Sequence, residues 1–147
     1  MIEELKTVLL KDLASLRREV EQYPDDASLW RPLPGIANAG GNLALHLAGN
    51  LQAFIGAQLG HTGYVRDRDR EFAARDLPRA RVLQEIDAAA QAVETGLAAL
   101  DPTTLDREFP LPMGGQRLST GQFLLNLGSH LAYHLGQVDY HRRMIQG

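Results

Sequence analysis

Two long stretches of this chain, from Asn38 to Leu59 and from Ser119 to Val138, are free of charged residues, and they constrain the fold more than any other feature. Leucine and alanine dominate them and β-branched residues are few, so both favour helix over strand. Asn, Gln and His interrupt them often enough that neither offers the roughly 18–20 continuous apolar residues of a membrane span. A helix that is apolar nearly all round must be buried on more than one side. Each stretch therefore needs several packing partners. Two amphipathic segments can supply them. In the first, Ile2, Leu5, Leu9, Leu13, Leu16, Val20 and Tyr23 recur at spacings of three and four. In the other, Val82, Ile86, Ala89, Val93, Leu97 and Leu100 do the same. The pattern predicts an all-α protein: an antiparallel four-helix bundle with long interhelical loops, forming one domain over residues 1–147.

Local signals set the boundaries. Pro24-Asp25-Asp26 ends the first helix, Asp76 is an expected cap before the third, and Asp101-Pro102 stops it. Ser119-Thr120-Gly121-Gln122 opens the fourth as a capping box. The Pro-rich loop Leu29–Gly35 connects the first two helices. A charged segment from His61 to Leu77 follows the second, and Thr103–Leu118 follows the third. In the last, Gly114-Gly115 can turn a short irregular hairpin, although Pro110 and Pro112 oppose a regular ladder. Gly128, Ala132 and Gly136 form one line on the fourth helix, and Gly49, Ala53, Gly56 and Gly60 a similar one on the second. Glycine in a helix costs up to about 1 kcal/mol relative to alanine, so close helix–helix contact is expected along both lines. The extra burial demanded by the uncharged helices must come from a second subunit or from the long loops, and a homodimer is the expectation.

Partners and compartment are constrained by charge and cysteine content. The net charge is −3 with the signs interspersed, so no basic face suggests nucleic acid. No signal peptide or membrane segment is evident, and a cytoplasmic location is the expectation. The chain has no cysteine. Disulfides, thiolate ligands and a protein thiol nucleophile are excluded, and any sulfur chemistry must use an external thiol.

The polar residues of the uncharged helices fall in single stripes. Asn38, Asn42, His46 and Asn50 follow one another at i+4, and Gln122, Asn126, His130, His134 and Gln137 nearly do so. Facing stripes would make a polar pocket inside the bundle. His130 and His134 lie one turn apart on one face, about 6 Å along the axis, so their imidazoles can share an ion. His46 from the neighbouring helix completes a three-histidine set with an open coordination position, as a catalytic metal requires. Asn42, Asn50, Asn126, Gln137 and Trp30 are expected to line the pocket or support the ligands, although a hydrophobic lid is the plainer role for Trp30. His61 is read as a helix-end residue, His141 as a surface residue, and Arg66–Arg70 as a solvated loop. The fourth helix reads His-Leu-Ala-Tyr-His, with Leu131 where zinc proteases of the His-Glu-x-x-His type place their base. Neither stripe contains a carboxylate. Water activation would thus need a base from a loop or metal hydroxide itself, whereas a thiol needs only coordination to ionise.

At these residues the chain resembles the DinB/YfiT-like superfamily of metal-dependent enzymes. The likeness rests on four helices of matching length, His46 within the second, His130 and His134 in the fourth, and the Trp30-Arg31-Pro32 loop before the second. It implies a divalent ion, usually zinc or nickel, on those three histidines, and frequent homodimers. Known activities of the superfamily include thiol-dependent S-transfer and mycothiol-dependent isomerisation of maleylpyruvate. The leading expectation is therefore a thiol-dependent S-transferase acting on small electrophilic molecules with a low-molecular-weight thiol cosubstrate. The alternatives are a zinc-hydroxide hydrolase and a non-catalytic, stress-linked scaffold dimer.

Overall fold

The computed structural model describes residues 1–147. Helix α1 spans Ile2–Glu21. Helix α2 runs over Gly40–Leu51, widens into π-helical turns over Gln52–Ala57 and closes over Gln58–Gly60. A short α3 covers Arg68–Ala73, α4 covers Arg79–Ala98 and α5 covers Thr120–Gln146. No helix is long and apolar enough to cross a membrane. The caps follow local chemistry. Ser119 Oγ accepts from Gln122 N–H at 3.2 Å and Asp67 Oδ1 from Arg70 N–H at 3.1 Å. The residue before α4 is Pro78 rather than the expected Asp76. Between α4 and α5, Met113 and Gln116 exchange two 2.9 Å backbone hydrogen bonds across Gly114 and Gly115. Both glycines have positive φ, the signature of a two-residue hairpin turn.

The four long helices form a bundle in which α1 and α2 each pack against both α4 and α5. Side-chain pairs fix the directions. Lys6 meets Glu94 and Arg17 meets Asp87, so α1 and α4 are antiparallel. Gly40 meets His141 and Phe54 meets Phe123, so α2 and α5 are antiparallel too. Glu19 pairs with Arg142 near the ends of α1 and α5, and Gly128 lies against Leu9 nearer their starts, so those helices run parallel. Gly56 faces Ala92 and Gly60 faces Gly96, which makes α2 and α4 parallel as well. The order is up, down, down, up. A parallel return must cross the length of the bundle, about 30 Å for a 20-residue helix, and this is why the segment after α2 is long.

The core joins the apolar stripes of α1 and α4 to α2 and the inner face of α5. Fully burying one such leucine contributes about 1.5–3 kcal/mol. Every residue of α2 from Gly40 to Gln52 is buried, as its lack of charge demands. Helix α5 departs from the expectation. Leu125, Tyr133, Tyr140 and Met144 are exposed. A Cβ at Gly128 would meet only Leu9 at 4.0 Å, and one at Gly136 would meet nothing within 4 Å. The glycine line of α5 therefore makes no close helix contact within the chain, whereas Gly56 and Gly60 on α2 do pack tightly against α4.

His141 also differs from its sequence reading. It is buried, not superficial. Its Nδ1 lies 2.8 Å from Tyr23 Oη and accepts from Gly40 N–H at 3.2 Å, while Nε2 lies 2.9 Å from the Arg31 carbonyl. The ring ties the start of α2 and the preceding loop to α5. Burial holds its pKa below the ordinary imidazole value.

Candidate metal centre

Helices α2 and α5 cross with their polar stripes facing, and this brings His46, His130 and His134 together. One ring nitrogen from each lies within 4.8 Å of the others, a set that could hold a metal ion. His46 Nε2 and His130 Nε2 are 3.1 Å apart. Two ligands of a tetrahedral zinc ion at 2.0–2.1 Å would be separated by about 3.3 Å, so the spacing of this pair fits one ion.

The tautomers agree with that use. His46 Nδ1 faces Glu71 Oε1 at 3.1 Å. Arg66 Nη2 also lies 3.2 Å from that nitrogen; the carboxylate, which only accepts, favours a proton on Nδ1 and a lone pair on Nε2. His134 Nδ1 faces Gln137 Oε1 at 2.6 Å, which again places the proton outward and leaves Nε2 free. His130 has no such partner: its Nδ1 is buried without a hydrogen bond. Burial, reinforced by the neighbouring His134 and His46, lowers its pKa to about 4. A neutral ring is the form that binds a cation.

Glu71 and Arg66 are the residues that sequence reasoning missed. The segment after α2 is not simply a solvated loop. It folds α3 against His46 and sets the Glu71 carboxylate on that ring, where the residue is 6% exposed. Arg66 donates from Nε to Glu71 Oε2 and from its terminal nitrogen to Oε1, both at 2.9 Å. Burial pushes the Glu71 carboxyl up, but the hydrogen bonds from His46 and Arg66 outweigh it and hold the group below its ordinary value. Gly49 makes the approach possible, because a Cβ there would lie 1.9 Å from Glu71 Oε2. Phe72 completes the cover, its ring centroid 4.8 Å from that of His46. The one sequence signal for this arrangement was Asp67, an N-cap residue inside an otherwise unpatterned charged run.

The remaining candidates are distributed as follows. Asn50 and Asn126 line a cleft of about 320 Å³ beside His46 and His130, between the two long loops. Asn126 Nδ2 lies 3.5 Å from Met113 Sδ. Gln137 bonds His134, as above. Asn42 sits outside the cleft and donates to the Glu71 and Ala74 carbonyls at 3.0 and 2.8 Å, anchoring the end of α3. Trp30 is remote from the cleft. It packs on Gly41, and its Nε1 donates to the Leu77 carbonyl at 3.0 Å. His61 is exposed at the end of α2 with a left-handed backbone, φ 53°.

Comparison with known families finds one match, the model of the DinB superfamily over residues 9–138. No curated protein and no solved structure matches the chain.

Proposed function

Since this chain belongs to the DinB superfamily, we propose that it is a metal-dependent enzyme that transfers a low-molecular-weight thiol to an electrophilic small molecule, with zinc or nickel on His46, His130 and His134. Family membership and the three-histidine set are compatible with a metal-dependent enzyme. The observation that carries the reading is the orientation of the rings. Two of the three set Nδ1 against an oxygen acceptor, Glu71 or Gln137, which favours a proton there and leaves Nε2 for an ion.

A divalent ion bound there lowers the pKa of a coordinated thiol or water. The residues of the chain supply position. Glu71 and Arg66 hold the His46 ring, Gln137 holds the His134 ring, and Phe72 keeps solvent off the far side. The cleft gives the acceptor access from one side. In the proposed reaction the thiol loses its proton to water at the mouth of the cleft. Its sulfur then bonds to the electrophilic carbon, and either a leaving group departs with its bonding pair or the displaced π pair moves to the neighbouring atom, which takes a proton from water.

Glu71 does not turn the site towards hydrolysis. Both of its oxygens are engaged, by His46 Nδ1 and by Arg66, so it holds a ligand and does not face the cleft as a free base. The test is cobalt substitution followed by addition of millimolar 2-mercaptoethanol. A sulfur-to-cobalt charge-transfer band is expected, and it should be lost in His46→Ala. No band, together with thiol-independent turnover of esters or amides, would put hydrolysis first.

A further inference from the structure

The cleft beside the histidines has a charge pattern opposite to that of the whole chain. The protein carries a net charge of −3, yet the cleft is lined by Arg66 and Arg68 and by no carboxylate. Arg66 is neutralised by Glu71. Arg68 is exposed and makes no ion pair or hydrogen bond; its guanidinium lies 5.2 Å from the Phe72 ring centroid. On the inner wall, Asn50 is 7% exposed and its Oδ1 has no hydrogen-bond partner. A buried amide left unpaired costs roughly 1–3 kcal/mol, and a ligand in the cleft is the group available to relieve it. Between these polar points the lining is apolar, with Phe54, Phe123, Leu127 and Met113.

We propose that this cleft binds a small organic anion with an apolar body, placing its anionic group on Arg68 and a hydrogen-bond donor on Asn50 Oδ1 with its reacting atom towards the histidines. The assignment deepens the functional reading and rests on it in taking the histidine cleft as the place where the acceptor molecule sits. The binding determinants themselves, Arg68 and Asn50, belong to the chain and act whether or not an ion is present. A guanidinium without an acidic partner selects charge strongly, because its bonds to a carboxylate are charge-assisted.

An isosteric series separates charge from shape: benzoate, benzamide and benzamidine, each carrying a 4-hydroxyl as the donor for Asn50 Oδ1, titrated by NMR into metal-free and zinc-treated protein. Benzoate should bind about tenfold more tightly than benzamide, as expected for a charge-assisted hydrogen bond, and benzamidine most weakly. The Asn50 side-chain amide signals should shift on binding. In Arg68→Gln the benzoate preference should disappear, and in Arg68→Lys it should be partly retained. Arg68 is exposed, so both variants are expected to fold, and their amide spectra report this directly. A benzoate preference absent from the metal-free protein, or one that survives Arg68→Gln, overturns the proposal, since the carboxylate is then held elsewhere. A preference that follows Arg68 in a protein that binds no zinc supports the anion site while refuting the metal-dependent reading.

Discussion

His141 and His130 are both buried imidazoles held below their ordinary pKa, but one fastens the fold and the other faces the site. His141 satisfies both of its nitrogens within the chain; His130 leaves one without a partner. The consequence for His141 is a pH-dependent stability. The unfolded ring takes up a proton near pH 6.5, whereas the folded ring resists it because burial disfavours the charge. The unfolded state therefore binds more protons as pH falls, and stability that is intact above about 6.5 declines below it. Urea unfolding of metal-free protein at pH 7.5 and 5.5 should show that decline. Part of it should vanish in His141→Gln, which should also lose about 1–3 kcal/mol at pH 7.5 through broken hydrogen bonds. An identical pH slope in the two proteins would contradict this role. His130 contributes with the same sign, so the informative quantity is the difference between the slopes. The sequence did not reveal His141 as structural, because its position beside Arg142 and Arg143 resembles a solvated helix end. Yet Arg142 is itself buried against Glu19.

At the scale of elements, the site depends on a six-residue helix that periodicity could not reveal. The histidines were legible because α2 and α5 are long and regular, and a regular helix converts spacing into direction. His46 meets His130 and His134 across the two helices, but Asn42 of the same stripe turns to α3. Helix α3 has no such repeat. Its position is set by tertiary contacts: Asn42 on its terminal carbonyls, Glu71 on His46, and the space left by Gly49. This gives a specific prediction. Gly49→Ala touches no histidine, but it must displace the Glu71 carboxylate. Removing an outer partner of a ligating histidine typically costs 10–100-fold in metal affinity. Competition against a chelator should show about that loss of zinc affinity in both Gly49→Ala and Glu71→Ala. In Glu71→Gln, where the amide oxygen can still accept from His46 Nδ1, the loss should be smaller. Unchanged affinity in Gly49→Ala would show that Glu71 does not position the ligand.

At the scale of the molecule, the four-helix bundle could be read from four apolar repeats, but its up-down-down-up order could not. That order depends on which way the long connection after α2 travels, and a charged loop records no direction. The outer face of α5 remains. It presents Tyr133, Tyr140, Leu125 and the uncrowded Gly136 to solvent, although its sequence demanded burial. We propose that a second copy of the chain covers this face. Sedimentation at micromolar concentration should give a dimer, and Tyr133→Asp should shift it towards monomer. A monomeric wild-type protein would return α5 to solvent and remove the proposal. The central claim, that three histidines from two helices hold one divalent ion, has a more direct test. Elemental analysis after loading with zinc and exhaustive dialysis should find about one equivalent per chain in the wild type, as expected for a three-histidine site, and little in His134→Ala. A full equivalent in that variant, or none in the wild type, would contradict the account.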